Sequence, residues 1–167
     1  MKSKLWKALL ALAASAVFIL AVQRSAAARD EDWEAASRRL EGTWIVTVTQ
    51  HDCTSGAQLG QPFQSYLTFA RGGTMTETTS NPMFFPALRG PGHGIWSYEG
   101  HHNYSAKSTA FITLNGALTS TQTITQTIAI GDDPDQFTTT SASVQFFDPA
   151  GNLIRSGCAA ASGQRFQ

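Results

Sequence analysis

The sequence has few cysteines, few charged side chains and no cluster of basic residues. Its 167 residues include two cysteines, and Asp, Glu, Lys and Arg together make up 14% of the chain. Two cysteines are too few for the disulfide-dense scaffolds of small secreted domains. Nucleic-acid backbones are bound by clustered Lys and Arg. We therefore expect neither a disulfide-rich miniprotein nor a nucleic-acid partner.

Long apolar runs are also scarce, and the one that occurs lies at the N-terminus. Three lysines precede an apolar stretch at residues 8–22, and four small residues follow at 25–28. This order is typical of a secretory signal peptide, and roughly 15 apolar residues are short of the ~20 needed to span a bilayer. We predict a signal peptide at residues 1–28, a single domain at 29–167, and a secreted or periplasmic protein without membrane attachment after cleavage. An uncleaved membrane anchor is the alternative.

Period-two alternation dominates the rest of the chain. At residues 44–49, Trp44, Val46 and Val48 fall on one side, which is the pattern of a half-buried strand, and a short helical pattern with Trp33 precedes it. Seven further segments read as strands: residues 63–69, 74–79, 93–98, 104–114, 118–130, 137–147 and 153–160. Eight strands joined without intervening helices predict an all-β fold, an eight-stranded antiparallel up-and-down barrel with a short N-terminal helix.

The segment at residues 81–92 does not fit this alternation. It holds three prolines, two glycines and the pair Phe84-Phe85. Prolines and glycines interrupt a strand, whereas the two phenylalanines are too apolar for a plain linker. We predict a loop folded across a barrel mouth.

The motif Gly42-Thr43-Trp44 after a short helix resembles the entry of the lipocalin and wider calycin barrels. The resemblance implies a barrel that holds a small ligand inside. It also implies that a basic residue near the end of the last strand packs over Trp44 and closes the barrel. Arg165 is the candidate for that role, with Arg155 in reserve. The chain is also similar to exported bacterial barrels, to which we attach no activity.

The two cysteines, Cys53 and Cys158, are expected to form one disulfide in an oxidising compartment. In a closed meander the last strand pairs antiparallel with the first. Placing Cys53 opposite Cys158 then brings Val46 opposite Arg165. Two free thiols are the alternative, and a bulge at residues 162–163 would shift this register by one.

Two amides are predicted to face the barrel interior. Threonines alternate along residues 118–130, so Gln122 and Gln126 share the opposite face with Ile124 and Ile128. A buried amide needs hydrogen-bond partners. These amides either hold the polar end of a ligand or bond to each other, to water or to the neighbouring strand.

Further candidate ligand contacts are Trp44, Trp96, Tyr104 and Arg155. The aromatic residues form either a ligand cage or simply core. Arg155 lies either inside the barrel or in a surface salt bridge.

Catalytic residues are harder to identify. Glu77 follows Met75 on the same face, but the threonines around it favour a solvated outward position. An isomerase-like enzyme, similar to the allene oxide cyclase type of barrel, would require Glu77, His93 and Tyr104 to converge in one cavity. No spacing of the four histidines closes a zinc site, and we predict no metal or cofactor.

Our leading hypothesis is therefore an exported barrel that binds a small, largely apolar ligand in its interior. The alternatives are the isomerase-like enzyme and a structural or interaction domain with a packed core. Oligomeric state is left open.

Overall fold

Eight antiparallel strands close into a barrel in the order of the chain, which confirms the fold predicted from the alternation. The computed structural model describes residues 34–167, apart from the side chains at 140 and 141. The predicted signal peptide at residues 1–28 and the helical residue Trp33 lie outside the described part. The barrel belongs to a compact unit at residues 37–167.

Each strand pairs with its neighbour in sequence, and the last pairs with the first. One helical turn at residues 34–37 precedes the 3-10 helix η1 (Arg38–Leu40). The strands are β1 (Gly42–His51), β2 (Gln58–Ala70), β3 (Thr74–Thr79), β4 (Leu88–Gly100), β5 (Asn103–Leu114), β6 (Ala117–Ile130), β7 (Gln136–Phe147) and β8 (Leu153–Arg165). A second 3-10 helix, η2 (Pro82–Phe84), lies between β3 and β4. We call the end where β1 begins the closed end, and the opposite end the mouth.

Several strand boundaries differ from those predicted, by five residues at the start of β2, the start of β4 and the end of β8. Strand β4 begins at Leu88, so the predicted loop at residues 81–92 is wrong in its second half. The strand tolerates Pro91 because the pairing of β4 with β5 is interrupted between Arg89 and Gly92, and a proline is accepted at a bulge. Strand β8 runs on to Arg165 because it pairs with β1 over its whole second half.

The register between β1 and β8 also corrects the prediction. Trp44 pairs with Arg165, and His51 pairs with Cys158. The predicted register, which placed Cys53 opposite Cys158 on the ladder, is therefore wrong by two residues, whereas the predicted disulfide between them is present. Cys53 lies beyond the end of β1, in a turn where the amide of Asp52 donates to the carbonyl of Ala57. The turn brings its Cα to 5.2 Å from that of Cys158, and the two sulfurs are bonded.

Large side chains fill the closed-end half of the interior. The packed cluster consists of Leu40, Trp44, Val46, Leu67, Phe69, Met75, Trp96, Tyr104, Ala106, Ile128, Ile130 and Phe137. The rings of Trp44 and Phe137 meet edge to face, with centroids 5.0 Å apart. Gly163 makes room for this contact, since a Cβ there would lie 2.2 Å from the ring of Phe137. An eight-stranded barrel is just wide enough for such side chains to fill it.

Arg165 covers this core at the closed end. Its guanidinium lies 4.3 Å from the ring centroid of Trp44. It donates to the carbonyls of Glu41 and Arg39, each at 2.7 Å, and to the carboxylate of Asp135 at 2.7 Å. Hydrogen bonds that involve an ionised group are about twice as strong as neutral ones. One side chain therefore ties together the entry to β1, the entry to β7 and the end of β8.

We expect Arg165→Ala to lower the free energy of unfolding by about 2–3 kcal/mol, since it removes several charge-assisted hydrogen bonds. Arg155→Ala is the matched control, because Arg155 lies 3.9 Å from the Phe146 ring centroid but is exposed at the mouth. That control should cost less than about 1 kcal/mol. Urea denaturation with the disulfide intact measures both, and equal losses would contradict the closing role of Arg165.

Tyr104 provides a pH-dependent test of the core. Burial raises the pKa of this phenol to about 12, and the nearby Tyr98 adds to the shift. Because the pKa in the folded state lies above the ordinary value near 10, the neutral phenol contributes its full stabilisation of the fold below about pH 10. It is lost as the pH rises towards 12.

We therefore expect the last phase of tyrosinate absorbance to appear well above pH 10 and to be absent from Tyr104→Phe. The wild type should lose about 1–2 kcal/mol of stability over this range, and the variant should not. Ionisation of every tyrosine near pH 10 in the folded protein would contradict the burial of Tyr104.

Candidate functional site

The mouth half of the interior contains an unfilled chamber of about 60 Å³. Its walls combine apolar and polar side chains from seven of the eight strands and from the loop between β3 and β4. The lining residues are Val46, Val48, Gln50, Phe63, Ser65, Leu67, Glu77, Thr79, Asn81, Phe84, Arg89, Gln122, Ile124, Gln126, Ala142, Val144, Ala159 and Ala161. This chamber therefore lies in the half of the barrel opposite the packed core.

Gln122 and Gln126 lie on the chamber wall. Both side chains are buried, and they alternate along β6 with threonines on the outer face. The Oε1 atom of Gln122 accepts a hydrogen bond from Nε of Arg89. Because a guanidinium only donates, the amide nitrogen of Gln122 must point elsewhere.

Glu77 lies inside the barrel, not on the solvated outer face that its threonine neighbours favoured. Its side chain is 5% exposed. Glu77 pairs across the ladder with Gly92. A Cβ at Gly92 would lie 2.4 Å from the Oε1 atom of Glu77. The missing side chain on β4 thus makes room for the carboxylate, which explains why local composition gave the wrong side.

Arg89 is the main residue that the sequence reasoning missed. The interruption between Arg89 and Gly92 shifts the alternation of inward and outward side chains along β4. The Arg89 side chain therefore lies inside the barrel, where it is 2% exposed. Its Nη2 donates to Glu77, its Nη1 donates to the carbonyl of Gly90, and its Nε donates to Gln122. A bulge reverses the inside-outside alternation. The Gly-Pro-Gly sequence after Arg89 was the feature of the sequence that could have indicated this bulge.

The loop between β3 and β4 covers the chamber. The Asn81 side chain accepts the amide of Met83 at 2.9 Å and thereby begins η2. Phe84, at the end of η2, contacts Phe146 with ring centroids 6.4 Å apart. A second space of about 190 Å³, which we call the vestibule, lies on the other side of this loop. Gln50, Asn81, Phe84 and Val144 line both spaces and form the partition.

The other predicted ligand contacts lie elsewhere. Trp44, Trp96 and Tyr104 belong to the packed core at the closed end and not to the chamber wall, because their strands point them at each other around Phe69 and Phe137. Arg155 is exposed and lines the vestibule.

The three predicted catalytic residues do not converge. Glu77 lines the chamber, Tyr104 is fully buried in the closed-end core, and His93 is exposed. His93 pairs with Thr76 and Thr109, and its side chain takes the outer face that alternation gives it beside Gly92 and Gly94. The isomerase-like arrangement of these three groups therefore has no common pocket.

Two features are absent from residues 34–167, a metal-ligand cluster and a membrane-spanning helix. No three His, Cys, Asp or Glu side chains in that part of the chain come together to hold a metal ion. Within the same residues, no helix has the length and apolar character required to cross a membrane.

Comparison with known proteins leaves the family open. No protein-family model and no curated protein matches the sequence. Among solved structures, the chain is similar to Rv2717c from M. tuberculosis, with a TM-score of 0.38 and 14% sequence identity. The match covers 77% of this chain and 94% of that one. The closed antiparallel barrel is observed directly in the structure of this chain and does not depend on that similarity.

Gly92→Ala tests the internal position of Glu77. The added methyl would occupy the place of the carboxylate, so we expect a loss of about 2–4 kcal/mol as the ion pair with Arg89 is disturbed. Gly90→Ala is the control, since its Cβ would meet its nearest atom, the carbonyl oxygen of Phe111, at 3.6 Å. Denaturant unfolding of the two variants should differ strongly, and similar stabilities would place Glu77 outside the barrel.

Proposed function

We propose that the protein is an exported, calycin-like barrel that binds a small ligand in the mouth-half chamber. The observation that carries this proposal is the buried network of Arg89, Glu77 and Gln122 on the wall of an unfilled space. A buried ion pair is often no more stabilising than well-packed apolar residues. Its presence beside a cavity, in a barrel whose other half is packed with apolar side chains, supports a binding role.

The walls suggest how a ligand is held. Val48, Phe63 and Ile124 offer apolar contact, whereas Arg89 and Gln122 offer directed hydrogen bonds. Binding sites of this kind commonly combine apolar walls with a few polar groups that fix orientation. The ligand would place its apolar body against the strands and its polar end at Arg89.

The size of the chamber limits the ligand to a compact molecule. Its 60 Å³ is below the roughly 300–1,000 Å³ of typical ligand sites. Movement of Phe84 would join the chamber to the vestibule of about 190 Å³. A larger guest would therefore require displacement of the Phe84 partition, which is also the route of entry from the mouth.

Export is supported by two features. The signal-like sequence at residues 1–28 directs a protein out of the cytoplasm. The bond between Cys53 and Cys158 persists in an oxidising compartment. Placement outside the cytoplasm is part of the proposal, as is the calycin-like classification that Gly42-Thr43-Trp44 suggests.

Native mass spectrometry of the mature, oxidised protein as purified tests this function. We expect a bound small molecule that is released on denaturation. Ala159→Leu should abolish this species, because Ala159 lines the chamber and a larger side chain would fill it. Ala160→Leu is the matched control, since the next residue on β8 is exposed. It should retain the bound species.

Two results would contradict the proposal. The first is that the wild type, Ala159→Leu and Ala160→Leu all show the mass of the protein alone, and that no small fragment binds in a ligand-observed NMR screen. The other is a bound species that survives Ala159→Leu unchanged. Either result would favour the packed-core structural domain.

A further inference from the structure

The charges that line the chamber cancel. Glu77 and Arg89 are the two charged residues among the described residues of its wall, and they are ion-paired. Their side chains are 5% and 2% exposed, so solvent screens them little. The chamber therefore presents a neutral interior to a guest, although it contains a guanidinium.

The hydrogen-bonding groups that remain at Arg89 and Gln122 are donors. A guanidinium has five N–H groups, and three of those of Arg89 donate to Gln122, Gly90 and Glu77. The other two N–H groups have no partner among the described residues, and Arg89 lines the chamber. The amide of Gln122 already accepts through its oxygen, which leaves its nitrogen to donate. A guest whose polar end lies at Arg89 and Gln122 must therefore supply acceptors there.

An anionic guest would meet an unfavourable balance. A carboxylate at Arg89 would lie beside the carboxylate of Glu77, and two like charges in a buried site oppose ionisation of both. Burying one more charge without a counter-ion is costly. A neutral carbonyl can accept the same hydrogen bonds without adding a charge.

We infer that Glu77 is the built-in counter-ion of Arg89, and that it selects an uncharged acceptor, such as an amide, ketone or ester carbonyl, over a carboxylate. This inference rests on the proposed function and specifies the chemical class of its ligand. Glu77 is in this sense a specificity-determining residue: it occupies the position on Arg89 that a ligand carboxylate would otherwise take.

Acetamide and acetate form a matched pair of probes, because they have nearly the same shape and differ in charge. Binding of each is measured by NMR titration of the oxidised wild type, of Glu77→Gln, and of the double variant Glu77→Gln/Arg89→Gln. We expect the wild type to bind acetamide at least tenfold more tightly than acetate. Glu77→Gln should reverse this order, and the double variant should abolish the preference for acetate.

The outcomes separate the inference from the function. If the wild type binds acetate as tightly as acetamide, or if Glu77→Gln does not reverse the order, the inference fails while the proposed binding site stands. If Glu77→Gln does not fold, the wild-type comparison alone decides. The proposed function itself fails if two results are obtained together: neither probe binds the wild type, and Ala159→Leu does not differ from the wild type with any fragment. The inference then fails with it.

Discussion

The closure of β8 onto β1 is the constraint on which the rest of the structure depends. The ladder from Trp44–Arg165 to His51–Cys158 removes the two free sheet edges. It is secured at one end by the Arg165 guanidinium over Trp44 and at the other by the disulfide from Cys53. Once the sheet is closed, the volume inside is fixed, and every inward side chain must share it.

That fixed volume is divided unequally. Large apolar side chains fill the closed-end half, and the mouth half holds the smaller residues Ala142, Ala159 and Ala161 together with polar groups. Two features of β4 admit charges to this half: Gly92 leaves space for Glu77, and the adjacent bulge brings Arg89 inward. A site of opposite charges therefore forms where the packing is least complete.

Much of the fold could be predicted from the sequence, because period-two alternation is a local signal. The threonines of β6 indicate its outer face, and Gln122 and Gln126 then fall on the inner one. The inward position of Arg89 could not be predicted in this way. A bulge moves the following side chains to the opposite face of the strand, and the alternation of residue types does not show where a bulge lies. The predicted register of β1 with β8 was wrong for a related reason, although the Cys53–Cys158 disulfide was correct: the sequence does not show where β1 stops and its turn begins.

The central claim is that Glu77 and Arg89 form an ion pair inside the barrel. A double-mutant cycle with Glu77→Gln and Arg89→Gln, followed by urea unfolding of the oxidised proteins, measures their coupling energy directly. A buried pair predicts a coupling of about 2–4 kcal/mol, because each single variant leaves one buried charge without its partner. A coupling below about 0.5 kcal/mol is typical of exposed pairs and would contradict the structure of the site.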